Sequence, residues 1–252
     1  MRPGEHERLT EREREYWWHV GRRHILRAVL DERLGDGGDN RILDVGCGAG
    51  GNLELLGQYG SVVGIDDAPA SMAILRAATP RPPAIYGSAV NLPILSGTVD
   101  AIALFDVLEH IDDDTAVLRE CHRVLRPGAS LVISVPAYQW LWSGHDEALG
   151  HRRRYTKTGL TDLIARAGFR PRRVTYAVSF LFPLIAGYRV VERMSSRRQA
   201  SSYVMVPRAV NALFVSVLWA EARLIRAGIV LPFGTSIVVA AVKPDRGHEP
   251  NG

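Results

Sequence analysis

The sequence predicts an α/β fold: a mostly parallel sheet covered by helices on both faces. Three observations point to it. Short apolar runs alternate with helical stretches along most of the chain, a glycine-rich turn follows the first of these runs, and acids stand at the ends of several others. Of the 252 residues, 46% are hydrophobic, enough for one large core with appendages.

From Glu5 to about Leu34, Trp17, Val20, Ile25, Leu26, Val29 and Leu30 recur at helical spacing and stop at Gly35-Asp36-Gly37-Gly38. Residues 1–38 therefore read as an N-terminal helical arm or lid. Strands are expected at 41–45, 62–66, 84–86, 99–105 and 130–135, with helices near 51–60, 71–78, 112–125 and 158–167. A sixth strand at 172–177 completes a core spanning 39–178. The rhythm then changes. Stretches 179–193 and 206–226 are apolar and helical, so 179–233 reads as an insertion roofing a ligand pocket, before a final strand at 234–243. The polar tail 244–252 is expected to be disordered. Pro183, Arg189 and Arg208 interrupt the late runs before bilayer length, which argues against a membrane span and leaves an interfacial or substrate-covering helix pair open.

The net charge is +4, with arginines bunched at 22–23, 152–154, 172–173 and 197–198. These bunches are scattered and lack a flanking nucleic-acid motif, so no nucleic-acid partner is expected. Cys47 lies in the glycine turn and Cys121 in a helical pattern, neither placed as half of a bridge, which points to a reducing, cytoplasmic setting. The charged first twenty residues lack an apolar signal core.

The glycine turn carries the chemistry. Gly46, Gly48 and Gly51 satisfy G-x-G-x-x-G, a spacing that lets a ligand approach the backbone and that dinucleotide binders share. The acids separate the possible ligands. A pyrophosphate is repelled by a carboxylate at the strand end, whereas an ammonium and a sulfonium are attracted, and Asp44 stands there. Asp66 closes the second strand, where a carboxylate accepts ribose hydroxyls in either ligand class. Simpler roles are a turn cap for Asp44 and an N-cap before Pro69 for Asp66. Phe105-Asp106-Val107-Leu108-Glu109-His110 adds acid after the fourth strand.

Taken in order, the runs at 42–50, 63–66, 91–93, 97–100, 106–110 and 125–128 resemble the motif series of class I S-adenosylmethionine-dependent methyltransferases of type 11/23, related to ubiquinone-pathway enzymes. The resemblance implies a Rossmann-like, seven-stranded sheet with an antiparallel last strand, S-adenosylmethionine as donor and S-adenosylhomocysteine as product. It places Asp44, Gly46, Gly48 and Gly50 on the methionine side, with Cys47, Asn52 and Leu53 in the same turn. Asp66 would hold the ribose, with Asp67 and Ala68 beside the adenine. Gly87-Ser88-Ala89 stands where many relatives carry Gly-Asp-Ala, so Ser88 replaces an acid near the adenine amine. Phe105, Asp106, Val107 and His110 would close the sulfonium end. Ubiquinone-pathway O-methyltransferases pair a similar acid-x-x-Glu-His run with a divalent ion, but the run is common in members that need none, and no metal is expected.

The segment 135–155 is the acceptor-side text, packing Trp140, Trp142, His145, Asp146, His151 and Tyr155 into one stretch. His145 paired with Asp146 is a candidate base, with His151 as the alternative and Tyr155 beside them. The same residues also read as staples of a long loop. A similar Trp-rich run with His-Asp, Gly-His and Arg-Arg-Tyr occurs in a bacterial methyltransferase subgroup, which also resembles this chain at 16–18, 21–23 and 231–236. By that likeness Tyr16, Trp18 and Arg22 are donor-covering contacts, Arg22 meeting the methionine carboxylate, while Trp17 and Trp18 also read as packing anchors. The expected activity is methyl transfer to a small-molecule or lipid-linked acceptor, first at oxygen, with nitrogen and carbon open. Peripheral membrane contact through the late helices stays open too. The alternatives are a nicotinamide-dependent oxidoreductase and a non-catalytic nucleoside- or RNA-binding module.

Overall fold

The computed structural model describes residues 16–35, 38–194 and 206–245. The arm before residue 16, Arg197-Arg198 and the tail beyond 245 lie outside the described residues. Seven strands form one sheet: β1 Asn40–Val45, β2 Gly60–Asp66, β3 Ala84–Tyr86, β4 Val99–Phe105, β5 Leu125–Pro136, β6 Arg170–Ala177 and β7 Ser236–Val242. Their order is β3-β2-β1-β4-β5-β7-β6. The first five run parallel, and β7 inserts antiparallel between β5 and β6, as the resemblance implied. Every residue of β4 is buried, as expected of a strand covered on both faces. Strand order reverses between β1 and β4, and in such sheets the crevice at the carboxyl ends of those strands receives ligands.

The helices are α1 Trp17–Leu34, α2 Leu53–Leu56, α3 Pro69–Ala77, α4 Asp114–Val124, α5 Gly144–Leu149, α6 Lys157–Arg166, α7 Phe182–Met194 and α8 Arg208–Arg226. Local chemistry sets their starts. Asp113 accepts from the Ala116 N–H at 2.8 Å to open α4, and Thr156 accepts from the Gly159 N–H to open α6. Two elements depart from the sequence reading. The helix expected at 51–60 is a single turn, because Gly50-Gly51 and Gly57 bound it. The stretch read as one long loop after β5 contains a short 3₁₀ turn and α5, the latter nucleated by a capping box between Ser143 and Asp146.

The arm and the insertion pack on each other. Gly21 on α1 lies so close to Leu218 on α8 that a Cβ there would overlap the leucine side chain. Trp17 donates its N–H to Asn211 Oδ1 at 2.8 Å and meets Phe214 edge-on at 5.2 Å. Asp31 pairs with Arg226, while Arg173 of β6 bonds both Glu32 and the Ile225 carbonyl, tying arm, insertion and sheet together. No described helix is long and apolar enough to cross a membrane.

Candidate functional site

The donor side is built at the carboxyl ends of β1 and β2. Gly46 has φ +74°, and a Cβ on it would run into Val107, so the turn needs glycine for both conformation and space. The Asp66 carboxylate accepts from the Gly48 N–H at 2.8 Å and from the Ala68 N–H at 2.9 Å, clasping the glycine turn to the start of α3. No atom of the described residues lies within 4 Å of where a Gly48 side chain would stand, so that face of the turn is open among them. Asp44 is 1% exposed, and its Oδ2 has no hydrogen-bond partner among the described residues. Burial raises its pKa to about 7, with Asp66 adding repulsion and Arg22 opposing it.

A buried acid short of a partner beside an open glycine turn fits the amino group of S-adenosylmethionine, and Asp66 retains lone pairs for ribose hydroxyls. Affinity for S-adenosylhomocysteine, which keeps that ammonium, should therefore fall about tenfold per pH unit below about pH 7, because binding requires ionised Asp44. Calorimetry in buffers of different ionisation enthalpy should also register proton release, and Asp44→Asn should flatten the profile. A flat wild-type profile would place the ammonium elsewhere.

The other residues expected on the cofactor side divide. Phe105 and Val107 are buried beneath the turn, and Asn52 and Leu53 open α2, Leu53 packing against Met72 and Leu75. Cys47 packs into that same cluster, and burial pushes its thiol up to about 12, so it serves the turn through its backbone. Asp67 is exposed, and Ala68 contributes its N–H to Asp66. At 87–89, Gly87 donates its N–H to the Asp66 carbonyl, and Ser88 pairs with Asn91, with Ala89 half-buried beside them.

A cavity of about 480 Å³ opens beside this cleft. Its walls come from α1, the turn after β4, the segment after β5, α7 and α8, and it takes in Tyr16, Trp18, Arg22, Asp106 and His110 as well as His145 and His151. Arg22 reaches across the strand ends, pairing with Asp106 at 2.9 Å and donating to Ser134 Oγ at 3.0 Å, with its guanidinium over the Trp18 and Phe105 rings. Asp106, Tyr138 and Val178 are the three described non-glycine residues with left-handed backbone, and they follow β4, β5 and β6. Strained positions thus gather at the carboxyl ends of these strands, and Asp106 among them lines the cavity.

The structure pairs Asp146 with a histidine other than its sequence neighbour. Asp146 is fully buried, accepts from His151 Nδ1 at 2.8 Å, and receives a bidentate Arg154 at 2.8 and 3.0 Å. Burial alone would raise its pKa, but these bonds hold the carboxyl well below the usual range. The His145 ring is lowered to about 4 by burial and then by Arg189, which leaves it a weak base. Tyr155 is absent from the cavity wall. Its buried hydroxyl donates to Asp114 at 2.9 Å and lies 3.2 Å from the Leu108 carbonyl, which makes it a staple of the segment.

The arginine run is likewise spent on bonds to neighbouring parts of the chain. Arg152 bonds the His110 carbonyl and Asp112, and Arg153 bonds Asp114 and the Asp112 carbonyl. Sequence reasoning did not single out Arg154, Arg189 or Glu192 for the site, and it read Glu109 only as added acid after the fourth strand or as part of a metal-type run. All four line the cavity. Glu109, His110 and His151 each bring one donor-type atom within 4.8 Å of the others.

Comparison with known proteins agrees with this geometry. Residues 43–133 match the family described as methyltransferase domain. A probable S-adenosylmethionine-dependent methyltransferase of Mycolicibacterium smegmatis is 35% identical over 161 residues, covering 62% of this chain and 60% of that protein. A ubiquinone biosynthesis O-methyltransferase of Pseudomonas aeruginosa is 35% identical over 114 residues, covering 42% and 47%. The chain thus spans about half to three fifths of the length of these relatives. Among solved structures, a methyltransferase bound to the Haloferax volcanii Trm112 activator superposes with a TM-score of 0.61 at 18% identity, covering 94% of each chain. The geranyl diphosphate C-methyltransferase of Streptomyces coelicolor gives 0.57 at 16% identity, covering 86% of this chain and 78% of that one. The motif-bearing segment at 43–133 thus matches a methyltransferase domain, and the fold around it is similar to that of solved methyltransferases.

Proposed function

We propose that this protein moves a methyl group from S-adenosylmethionine to an apolar small-molecule or lipid-linked acceptor, at oxygen, with His151 as the base. One observation carries the reading: the donor cleft and the 480 Å³ cavity meet at Arg22 and Asp106, so a molecule in the cavity lies against the donor end that the acids define. S-adenosylmethionine, when bound, supplies a methyl group already activated on a sulfonium. The chain's own work is to hold, align and dry the two partners. Asp44, Asp66 and the glycine turn hold the donor, while Arg22, Trp18 and Tyr16 cover it from α1.

His151 is suited to take the acceptor proton. With Nδ1 committed to Asp146, the tautomer and ring orientation are fixed and Nε2 is the nitrogen left for a hydroxyl. Asp146 orients and does not touch the acceptor. No ion enters this scheme, so a chelator should leave turnover unchanged. The apolar wall of Trp17, Leu141, Leu149, Ile185 and Phe214 supports an apolar acceptor. Leu184, Tyr188 and Val191 continue that character along one exposed face of α7, which supports peripheral membrane contact.

The test is transfer of labelled methyl groups from the donor into lipid and aqueous cell extracts. His151→Asn is expected to lower turnover about 10²- to 10⁴-fold with S-adenosylhomocysteine affinity unchanged. A variant rate equal to wild type would move the base elsewhere. Label confined to water-soluble products, together with no retention on liposomes, would remove the lipid reading. Tight NADH binding without binding of the methyl donor would return the chain to the oxidoreductase alternative.

A further inference from the structure

Glu109 is fully buried, lines the cavity and, beyond its own amide, has no hydrogen-bond donor at either carboxyl oxygen among the described residues. Among the described residues no cation forms an ion pair with it, although Arg22 and Arg154 act on it from a distance. Each of the three arginines in the cavity wall is matched to another acid: Arg22 to Asp106 at 2.9 Å, Arg154 to Asp146 at 2.8 Å, and Arg189 to Glu192 at 3.4 Å. The charged and titratable groups facing Glu109 include Asp106 and His110 on its own turn, Arg22 on α1, and His151, Arg154 and Tyr155 after α5. Of the histidines, His110 is held toward its neutral form by burial and then by His151, and His151 already holds Asp146.

A carboxylate left with no counter-ion in an apolar cavity keeps its proton, because ionisation there would cost more than any nearby group returns. Burial and then the Asp106 charge push Glu109 in that direction. A protonated carboxyl is a hydrogen-bond donor as well as an acceptor. The spacing gives this a geometry. Glu109 and His151 both line the cavity and bring a carboxyl oxygen and a ring nitrogen within 4.8 Å of each other. One molecule in the cavity can therefore meet both side chains.

We propose that Glu109 is an acceptor-binding residue that donates a hydrogen bond to an oxygen at or beside the methylated atom, selecting uncharged oxygen-bearing acceptors over cationic amines. The inference rests on the methyl-transfer reading and deepens it. A permanently ionised Glu109 would do the reverse, drawing an ammonium into the same place.

Infrared difference spectra of the full chain with S-adenosylhomocysteine, wild type against Glu109→Gln at about pH 7, read the proton directly. The protonated-carboxyl band is expected in the wild type and lost in the variant; a difference confined to carboxylate bands overturns the proposal. Ligand-observed NMR with phenol and benzylamine as probes reads selectivity. Phenol binding is expected to survive Glu109→Gln, fall about tenfold in Glu109→Leu, and exceed benzylamine binding in the wild type. Preference for benzylamine, or phenol binding indifferent to Glu109→Leu, overturns it. S-adenosylhomocysteine affinity, measured on the same samples, separates the failures: its absence in wild type defeats the methyl-transfer reading, whereas its retention in every variant leaves only Glu109 in question.

Discussion

Asp66→Ala is expected to lower affinity for S-adenosylhomocysteine by about two to three orders of magnitude, measured by titration calorimetry. The carboxylate has two jobs at once. It already accepts the Gly48 and Ala68 amides, which fixes the shape of the glycine turn, and on the proposed reading its remaining lone pairs take the ribose hydroxyls. Hydrogen bonds to a charged group contribute about 1.5–3 kcal/mol each. Loss of two, toward the lower end of that range, costs about 3–4 kcal/mol, and each 1.4 kcal/mol is about tenfold in affinity. Asp66→Asn should fall between, since an amide keeps one acceptor oxygen. A loss smaller than about tenfold would take the ribose away from Asp66.

Asp146→Ala should destabilise the protein by about 3–5 kcal/mol in chemical denaturation, the scale for removing one partner of a buried ion pair. The Arg154 guanidinium would be stranded, because its side chain is only 7% exposed and two of its hydrogen bonds end on Asp146. His151 would lose its anchor, and the Ser143 N–H its acceptor, which opens the capping box of α5. Asp146→Asn should cost less and still lower turnover by freeing the His151 ring. The pH dependence has a definite sign. A folded pKa held below 3.8 means that this stabilisation is complete above the ordinary carboxylate range and is lost as pH falls through and below it. A variant as stable as wild type would show that the segment after β5 is held by Arg152, Arg153 and Tyr155 alone.

The donor half was legible because its information is local. Consecutive residues from Ile42 to Gly50 specify strand, turn and acid, and Asp66 closes the neighbouring strand in register with them. The acceptor half is a tertiary product. His145 and Asp146 are adjacent in sequence, which invites pairing them, but successive residues on a helix point in different directions. Asp146 is the N3 residue of α5, so it folds back on Ser143 and meets His151 only after the helix has ended. The Ser143-x-x-Asp146 pattern was a usable signal for that helix. Glu109 carried no local mark of its isolation, since that depends on which acids the surrounding arginines choose. The cavity faces of α7 and α8 have ordinary amphipathic patterns, and periodicity cannot say which ligand an apolar face will meet.

The close crossing at Gly21 and Leu218 has a consequence for how acceptor preference changes over generations and in the laboratory. Trp17 and Asn211 meet across that crossing although 194 residues separate them along the chain. The ceiling of the cavity is therefore one heirloom written in two distant places. Late helices borrowed from a relative would arrive cut for another relative's arm, so chimeras that exchange both pieces together should inherit a working pocket where single exchanges inherit a misfit.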